Sequence, residues 1–241
     1  MRILVACIAA AVAVALALCG VESAFAGPAA EQDAAHILFF GGTDIWRNGG
    51  FMHGGFLWAF QGLDADGPVL KLLLNGGLYR YHSGATDITG EQVMGAALPG
   101  WHFKRDALDV TLFAGVDVQD HRFTPADPGN RLGGTHVGAR GGFDVWYQPM
   151  RDGMLTASAS LSTVGSSYWT RAAAGWRFFD AVWLGPEFHA CGDDTYRQLR
   201  FGAHITSLRI SGTEWSAGAG WVTDTDGRDG VYGRLGVLVR R

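Results

Sequence analysis

The sequence predicts an all-β protein, a single antiparallel transmembrane β-barrel of about twelve strands, with ten or fourteen also compatible. Three observations predict it. Apolar and polar residues alternate along repeated segments, the period of a pleated strand with one greasy face. Those segments are long enough for a tilted bilayer crossing, which takes ~9–11 residues. Aromatic residues gather near segment ends, at Trp101-His102-Phe103, Trp146-Tyr147, Tyr168-Trp169, Trp176 to Phe179 and Trp183, as in interfacial girdles.

The chain opens with an address. Met1-Arg2 gives a positive start, Ile3 to Leu18 is apolar, and Ala24-Phe25-Ala26 is a small-x-small cleavage signal before Gly27-Pro28. Residues 1–26 therefore read as a secretory signal peptide cleaved after Ala26. A membrane anchor is the rival, but the run is short for a span. Lipidation at Cys19 is a second rival; it needs a small preceding residue, and Leu18 is large. Cys7 and Cys19 leave with the signal, so Cys191 remains alone in the mature chain, where it reads as a small apolar residue.

Residues 27–36 read as a short periplasmic segment, and 37–241 as the barrel. The strand candidates, in order, are 37–46, 51–61, 68–82, 89–103, 107–119, 133–147, 154–164, 168–179, 182–191, 195–209, 213–223 and 231–240. The fifth shows the period best: Leu108, Val110, Leu112, Ala114, Val116 and Val118 oppose Asp109, Thr111, Phe113, Gly115, Asp117 and Gln119. In the seventh, Leu155, Ala157, Ala159 and Leu161 oppose Thr156, Ser158, Ser160 and Ser162. In the tenth, Leu199, Phe201, Ala203 and Ile205 oppose Gln198, Arg200, Gly202, His204 and Thr206. The eleventh sets Trp215, Ala217, Ala219 and Trp221 against Ser216, Gly218 and Gly220, and the last sets Leu235, Val237 and Val239 against Tyr232, Arg234 and Gly236. A soluble sandwich alternates in the same way; strand length, the aromatic girdles and the export signal favour the membrane barrel. Compact links at 62–67, 104–106, 148–153 and 179–181 alternate with a set that includes the longest loop, 120–132, and the turn 223–230. Short periplasmic turns and longer external loops fit that pattern.

Composition narrows the function. Of 241 residues, 48% are hydrophobic and 17% charged, which excludes a disordered chain. The 23 acids outnumber the 19 Lys and Arg and no basic run occurs, so a nucleic-acid partner is excluded.

Several blocks resemble the bacterial cellulose biosynthesis protein BcsS family. They are GGFLWAFQGLDADGPVLKLLLNGGLYRY at 54–81, DHRFTPADPGNRLGGTHVGARGGFDVWYQP at 120–149, SLSTVGSSYWTRAAAGWRFFDAVWLGPEF at 160–188, YRQLRFGAHITSLR at 196–209 and YGRLGVL at 232–238. The resemblance covers most of the mature chain. It implies an outer-membrane accessory of cellulose production rather than the polymerase, with no catalytic motif and no cofactor. The partners expected are outer-membrane lipid, glucan or cellulose, and other components of cellulose secretion.

Strand parity supplies the candidate lumen and glycan-contacting residues: Tyr79 and Tyr81; Arg140 and Trp146; Trp169, Arg171 and Arg177; Trp183 and Glu187; and Arg200. Flat aromatic faces suit sugar rings and polar groups suit hydroxyls. The more ordinary account of the same residues is a structural network filling a narrow barrel, with Arg and carboxylates satisfying each other. Three function classes emerge: the cellulose accessory, a narrow solute pore, and a lipid- or glycan-modifying enzyme using Ser160, Ser162, His189 or His204. Nothing in the spacing joins a Ser, a His and an acid. Asp224 to Asp229 looks like a truncated calcium loop and reads as a polar Asp-Gly hairpin turn, so no metal site is expected.

Overall fold

The computed structural model describes residues 35–241. The expected signal peptide, residues 1–26, and residues 27–34 of the expected N-terminal segment lie outside the described residues. The first strands are β1 (Ile37–Trp46), β2 (Gly49–Ala59), β3 (Gly67–Ser83), β4 (Thr86–Arg105), β5 (Leu108–Thr124) and β6 (Gly134–Met150). They continue as β7 (Gly153–Ser162), β8 (Tyr168–Phe178), β9 (Val182–Gly192), β10 (Arg197–Ile210), β11 (Thr213–Asp224) and β12 (Gly230–Arg240). Each pairs antiparallel with its sequence neighbours, and β1 closes on β12 from Leu38 opposite Arg240 to Trp46 opposite Tyr232. Closure removes both sheet edges, so the ladder satisfies its own backbone groups, as lipid requires. The twelve strands match the twelve segments expected from alternation.

Period-two alternation sorts the side chains. On β5, Leu108, Leu112, Val116 and Val118 lie exposed on the outside, while Thr111, Phe113, Asp117 and Gln119 are buried inside. The outward band from Leu108 to Val118 stands about 25–30 Å tall at a typical barrel tilt, the height of an apolar membrane belt. It ends abruptly. The next outward residues on β5 are Asp120 and Arg122, which pair at 3.1 Å, and Thr135 on β6 donates to Asp120 at 2.7 Å. Arg80 on β3 and Glu91 on β4 continue this charged collar, placed by their registers opposite Thr89 and Arg122. At the other end, Trp58, Trp101, Phe103, Tyr147, Trp176 and Phe178 are exposed on the outer surface and form an aromatic girdle.

That girdle corrects one expectation. Trp146, Trp169 and Trp183 also stand near strand ends, but their parity turns them inward, so only alternate members of each aromatic group reach lipid. A second correction concerns β10. Its register with β11 shifts between Ile205 and Leu208, where Ser207 takes φ 65°, so Ile205, Leu208 and Ile210 do not keep simple alternation. A β-bulge inserts an extra residue and re-aims the side chains beyond it.

The wall is uneven. β3 continues beyond Tyr79, which faces Gly49 at the start of β2, up to Ser83. β6 begins at Gly134, well before Arg140, which faces Ser162 at the end of β7. Strands β3 to β6 therefore rise above the rest at the end opposite the chain termini, here the distal end. The longest distal link is shorter than the loop pattern suggested: β5 runs to Thr124 and β6 starts at Gly134, leaving residues 125–133 between them.

The termini end is tied by charge. In the β2–β3 turn, Asp64 accepts from Lys104 Nζ at 2.8 Å, while Asp66 accepts from the Lys104 amide at 2.6 Å and pairs with Arg105. The Lys104 ammonium hydrogen bond holds the Asp64 carboxyl below its ordinary range. The Lys104 amide, then Arg105, does the same for Asp66. Ala35 and His36 join this end, where the Leu63 amide donates to the Ala35 carbonyl and the His36 amide to the Arg241 carbonyl.

Candidate functional site

The inward faces converge on a lumen divided into two networks and a cavity. The first network centres on Glu187 of β9, whose side chain is fully buried. Its Oε2 accepts from Arg234 Nη2 at 2.9 Å and Arg171 Nη2 at 3.1 Å, and its Oε1 accepts from Tyr232 OH at 3.0 Å. Room for the carboxylate comes from Gly218 on β11: a Cβ there would lie 2.0 Å from Glu187 Oε1. Across the barrel, Asp117 Oδ2 accepts from Arg140 Nη2 at 2.9 Å and Nε at 3.0 Å, and from Ser162 Oγ at 3.0 Å; Gln119 Nε2 adds a donor at 2.7 Å. Buried charges persist in a barrel only when paired and hydrogen-bonded, and both acids are.

Two further ion pairs sit between these networks. Lys71 of β3 reaches Asp144 of β6 at 2.7 Å, with its ammonium 4.3 Å from the Phe113 ring centroid. Arg200 of β10 reaches Asp44 of β1 at 3.0 Å and lies 4.7 Å from the Trp46 ring.

Toward the distal end the lumen turns aromatic. Trp46 and Phe51 stack with centroids 5.9 Å apart, Phe51 stacks on Tyr79 at 6.3 Å, and Tyr79 meets both Tyr81 and Tyr196 at 5.8 Å. Tyr79 and Tyr196 come from opposite sides of the closed strand order, so this stack spans the interior. The β5–β6 loop folds in over it: Tyr81 OH donates to Asp127 at 2.8 Å and Asn130 Nδ2 donates to Tyr81 at 3.1 Å. Leu132 of the same loop is buried.

Between the networks and the stack lies a cavity of 330 Å³. Of the residues singled out by parity, Tyr79, Arg140, Trp169 and Arg200 line it. Tyr81 stands behind Tyr79, against Asp127. Arg171 and Glu187 belong to the first network. Trp146 and Trp183 meet edge-on at 6.2 Å, and the Arg177 guanidinium lies 4.5 Å over Trp183, forming a third cluster toward the termini end. The structure thus distributes the ten residues among the aromatic stack, the cavity wall and these side-chain clusters.

Other lumen residues completing these arrangements are Asp44, Trp46, Asp117 and Arg234. The same alternation points Asp117 and Arg234 inward; Asp117 meets Arg140 from the adjacent β6 and Ser162 from β7, whereas Arg234 reaches Glu187 three strands away, a pairing fixed only by barrel closure. The serines and histidines considered for catalysis have other partners. Ser162 donates to Asp117 and Ser160 accepts from Arg140 at 3.2 Å. His204 bonds Thr206 Oγ1 at 2.9 Å and the Ala174 carbonyl at 3.1 Å, and His189 lies 3.5 Å from Glu187. In the acidic turn, Asp224 and Asp226 both pair with Arg228, at 3.2 and 2.8 Å.

Among solved structures the chain is similar to the KdgM porin, with 8% identity and a TM-score of 0.46 over 84% of this chain and 98% of that one. It is similar to the translocator domain of the autotransporter NalP from Neisseria meningitidis, with 11% identity and a TM-score of 0.48 over 88% and 90%. It is also similar to LpxR from Salmonella typhimurium, with 13% identity and a TM-score of 0.47 over 84% and 99%. No curated protein sequence matches the chain significantly. The family profile described as cellulose biosynthesis protein BcsS matches residues 38–241, the barrel wall from the second residue of β1 onward. All twelve strands take part in that match, and the chain belongs to the cellulose biosynthesis protein BcsS family.

Proposed function

We propose that this barrel resides in the bacterial outer membrane and assists cellulose export or assembly at the cell surface, without catalysing a reaction itself. Family membership supports the link to cellulose. The apolar belt between an aromatic girdle and a charged collar supports residence in a bilayer. In this reading the termini end faces the periplasm and the distal end faces outward.

The observation that carries the accessory role is the crossed lumen. Arg234 and Arg171 meet on Glu187, Lys71 spans to Asp144, and the Tyr79–Tyr196 contact bridges the distal half. A glucan chain threading the barrel would have to break the buried pairs on Glu187, which costs about 3–5 kcal/mol when one partner is lost, and separate the more exposed Lys71–Asp144 pair as well. Anchoring or guiding the polymer at the surface needs no such opening. Gene deletion tests the proposal: extracellular cellulose is expected to fall, with recovery on complementation, and unchanged cellulose under inducing conditions rejects it.

The cavity keeps a second reading in play, that of a narrow solute pore. It predicts solute-dependent conductance in planar bilayers. A silent, folded barrel removes it.

A further inference from the structure

We infer that the distal lumen cavity is a binding site for a short, uncharged carbohydrate of disaccharide size. The choice of a β-glucan as the sugar rests on the proposed role in cellulose production; the existence, size and charge preference of the site do not.

Four observations carry this. The first is size. At 330 Å³ the cavity falls at the lower end of ligand pockets, ~300–1,000 Å³, too small for a polymer and adequate for a few sugar atoms' breadth on each side.

The second is chemistry left open. Trp46 Nε1 and His121 Nδ1 have no hydrogen-bond partner, although their residues are only 7% and 3% exposed. Asn75 Oδ1 and Ser167 Oγ are likewise unpartnered, and all four residues line the cavity. A buried polar atom without a partner costs free energy, and these four lie just beneath the cavity wall, where a turn of the side chain toward a bound hydroxyl would satisfy them. The set mixes an indole N–H donor, an amide oxygen acceptor, a hydroxyl and an imidazole nitrogen, which matches groups that both donate and accept.

The third is a free aromatic surface. Trp46 is covered by Phe51 and Arg200, and Tyr79 by its neighbours in the stack. Trp169 lines the same cavity yet stays 40% exposed. An indole presented to a wet cavity offers a sugar ring an apolar face.

The fourth is charge balance. The cavity lining contributes Lys71, Arg140 and Arg200 against Asp44, Asp144 and Asp193. Each base is already engaged, by Asp144, Asp117 and Asp44 respectively. Among the described residues of this lining, no cation is left over to meet a carboxylate or phosphate, so a uronate would enter without a counter-charge.

The test is calorimetric titration of the detergent-solubilised full barrel with cellobiose, alongside a disaccharide of similar size bearing a uronic acid. Saturable cellobiose binding is expected, with the uronate at least tenfold weaker. Trp169→Ala should weaken cellobiose at least tenfold and Asn75→Leu severalfold. Trp176→Ala, on the lipid face of the same strand, should leave affinity unchanged. Heat-modifiable migration checks that each variant is folded, and Trp169→Phe, which keeps a ring, should retain affinity within about threefold if Trp169→Ala does not fold. Absence of saturable cellobiose binding, equal affinity for the uronate, or equal losses at Trp169 and Trp176 would overturn the inference. Because cellulose output is measured separately in the deletion strain, a barrel that fails to bind cellobiose while its loss still lowers cellulose removes the site and leaves the accessory role standing.

Discussion

Glu187 and Arg234 hold each other at 2.9 Å although two strands, β10 and β11, separate their own strands in the wall. The pair is a chord across the interior, and Arg171 joins the same carboxylate oxygen from the other side. Removing the acid strands two guanidiniums whose side chains are largely buried. Glu187→Gln should therefore destabilise the barrel by about 3–5 kcal/mol. Urea unfolding of the protein in lipid vesicles reads this as a lowered midpoint. A Glu187→Gln loss that does not shrink when Arg234 is also replaced would mean the two side chains act independently.

The space for that carboxylate depends on a missing side chain. Gly218→Ala would put a carbon 2.0 Å from Glu187 Oε1, so Glu187 or β11 must move. Overpacking of this kind costs about 1–3 kcal/mol. Gly233 on the adjacent β12 has nothing within 4 Å of an added Cβ, and Gly233→Ala should change stability by no more than about 0.5 kcal/mol. Equal effects at the two glycines, measured by the same unfolding assay, would contradict the close approach of Glu187 to β11.

The apolar belt makes a depth-dependent prediction. Leu112 lies mid-belt on the outer face and is 47% exposed. Leu112→Arg should cost about 2–4 kcal/mol in a bilayer, whereas Glu91→Arg in the charged collar should cost about 1 kcal/mol or less. Equal costs at the two depths, read from unfolding midpoints in vesicles, would mean that lipid does not cover this belt.

Acid should loosen the termini end in a defined window. The Lys104 contacts lower the carboxyls of Asp64 and Asp66 relative to an unfolded chain, where Asp titrates near 3.9. A depressed carboxyl contributes stability that is fully present above the unfolded value and is lost as pH falls through the folded one. The stability difference between the native chain and an Asp64→Asn/Asp66→Asn variant should thus be constant near neutrality and close below about pH 4. Unfolding midpoints of the two proteins across pH measure it; a gap that widens in acid would show that these carboxyls are raised, not lowered, by folding.

Alternation made the wall legible before its geometry. Strand β1 is bounded in the structure as the pattern bounds it, at Ile37–Trp46. The greatest shortfall is at β5, read to 119 and found to reach Thr124. The reason is physical: the apolar signal comes from contact with lipid, and Asp120 and Arg122 belong to a part of the strand standing clear of it. The same holds for β4, which starts at Thr86 rather than 89 because its first outward residues are polar. The inward direction of Arg140, Arg171 and Glu187 is set by parity, but not which acid meets which base. Lys71 and Asp144 are 73 residues apart and become partners only when twelve strands close with one particular stagger. The turn of β10 at Ser207 left no trace in the pattern, since a bulge adds a residue without changing composition.

The unequal height of the wall gives the distal rim a high side and a low side. Strands β3 to β6 form a parapet carrying Arg80, Glu91, Asp120 and Arg122, while the rim formed by β7 to β12 stops lower. With the distal end outward, as proposed, a bulky polymer drifting along the cell surface would be screened from one side and admitted from the other, so the barrel has a front and a back even though its cross-section is a closed ring.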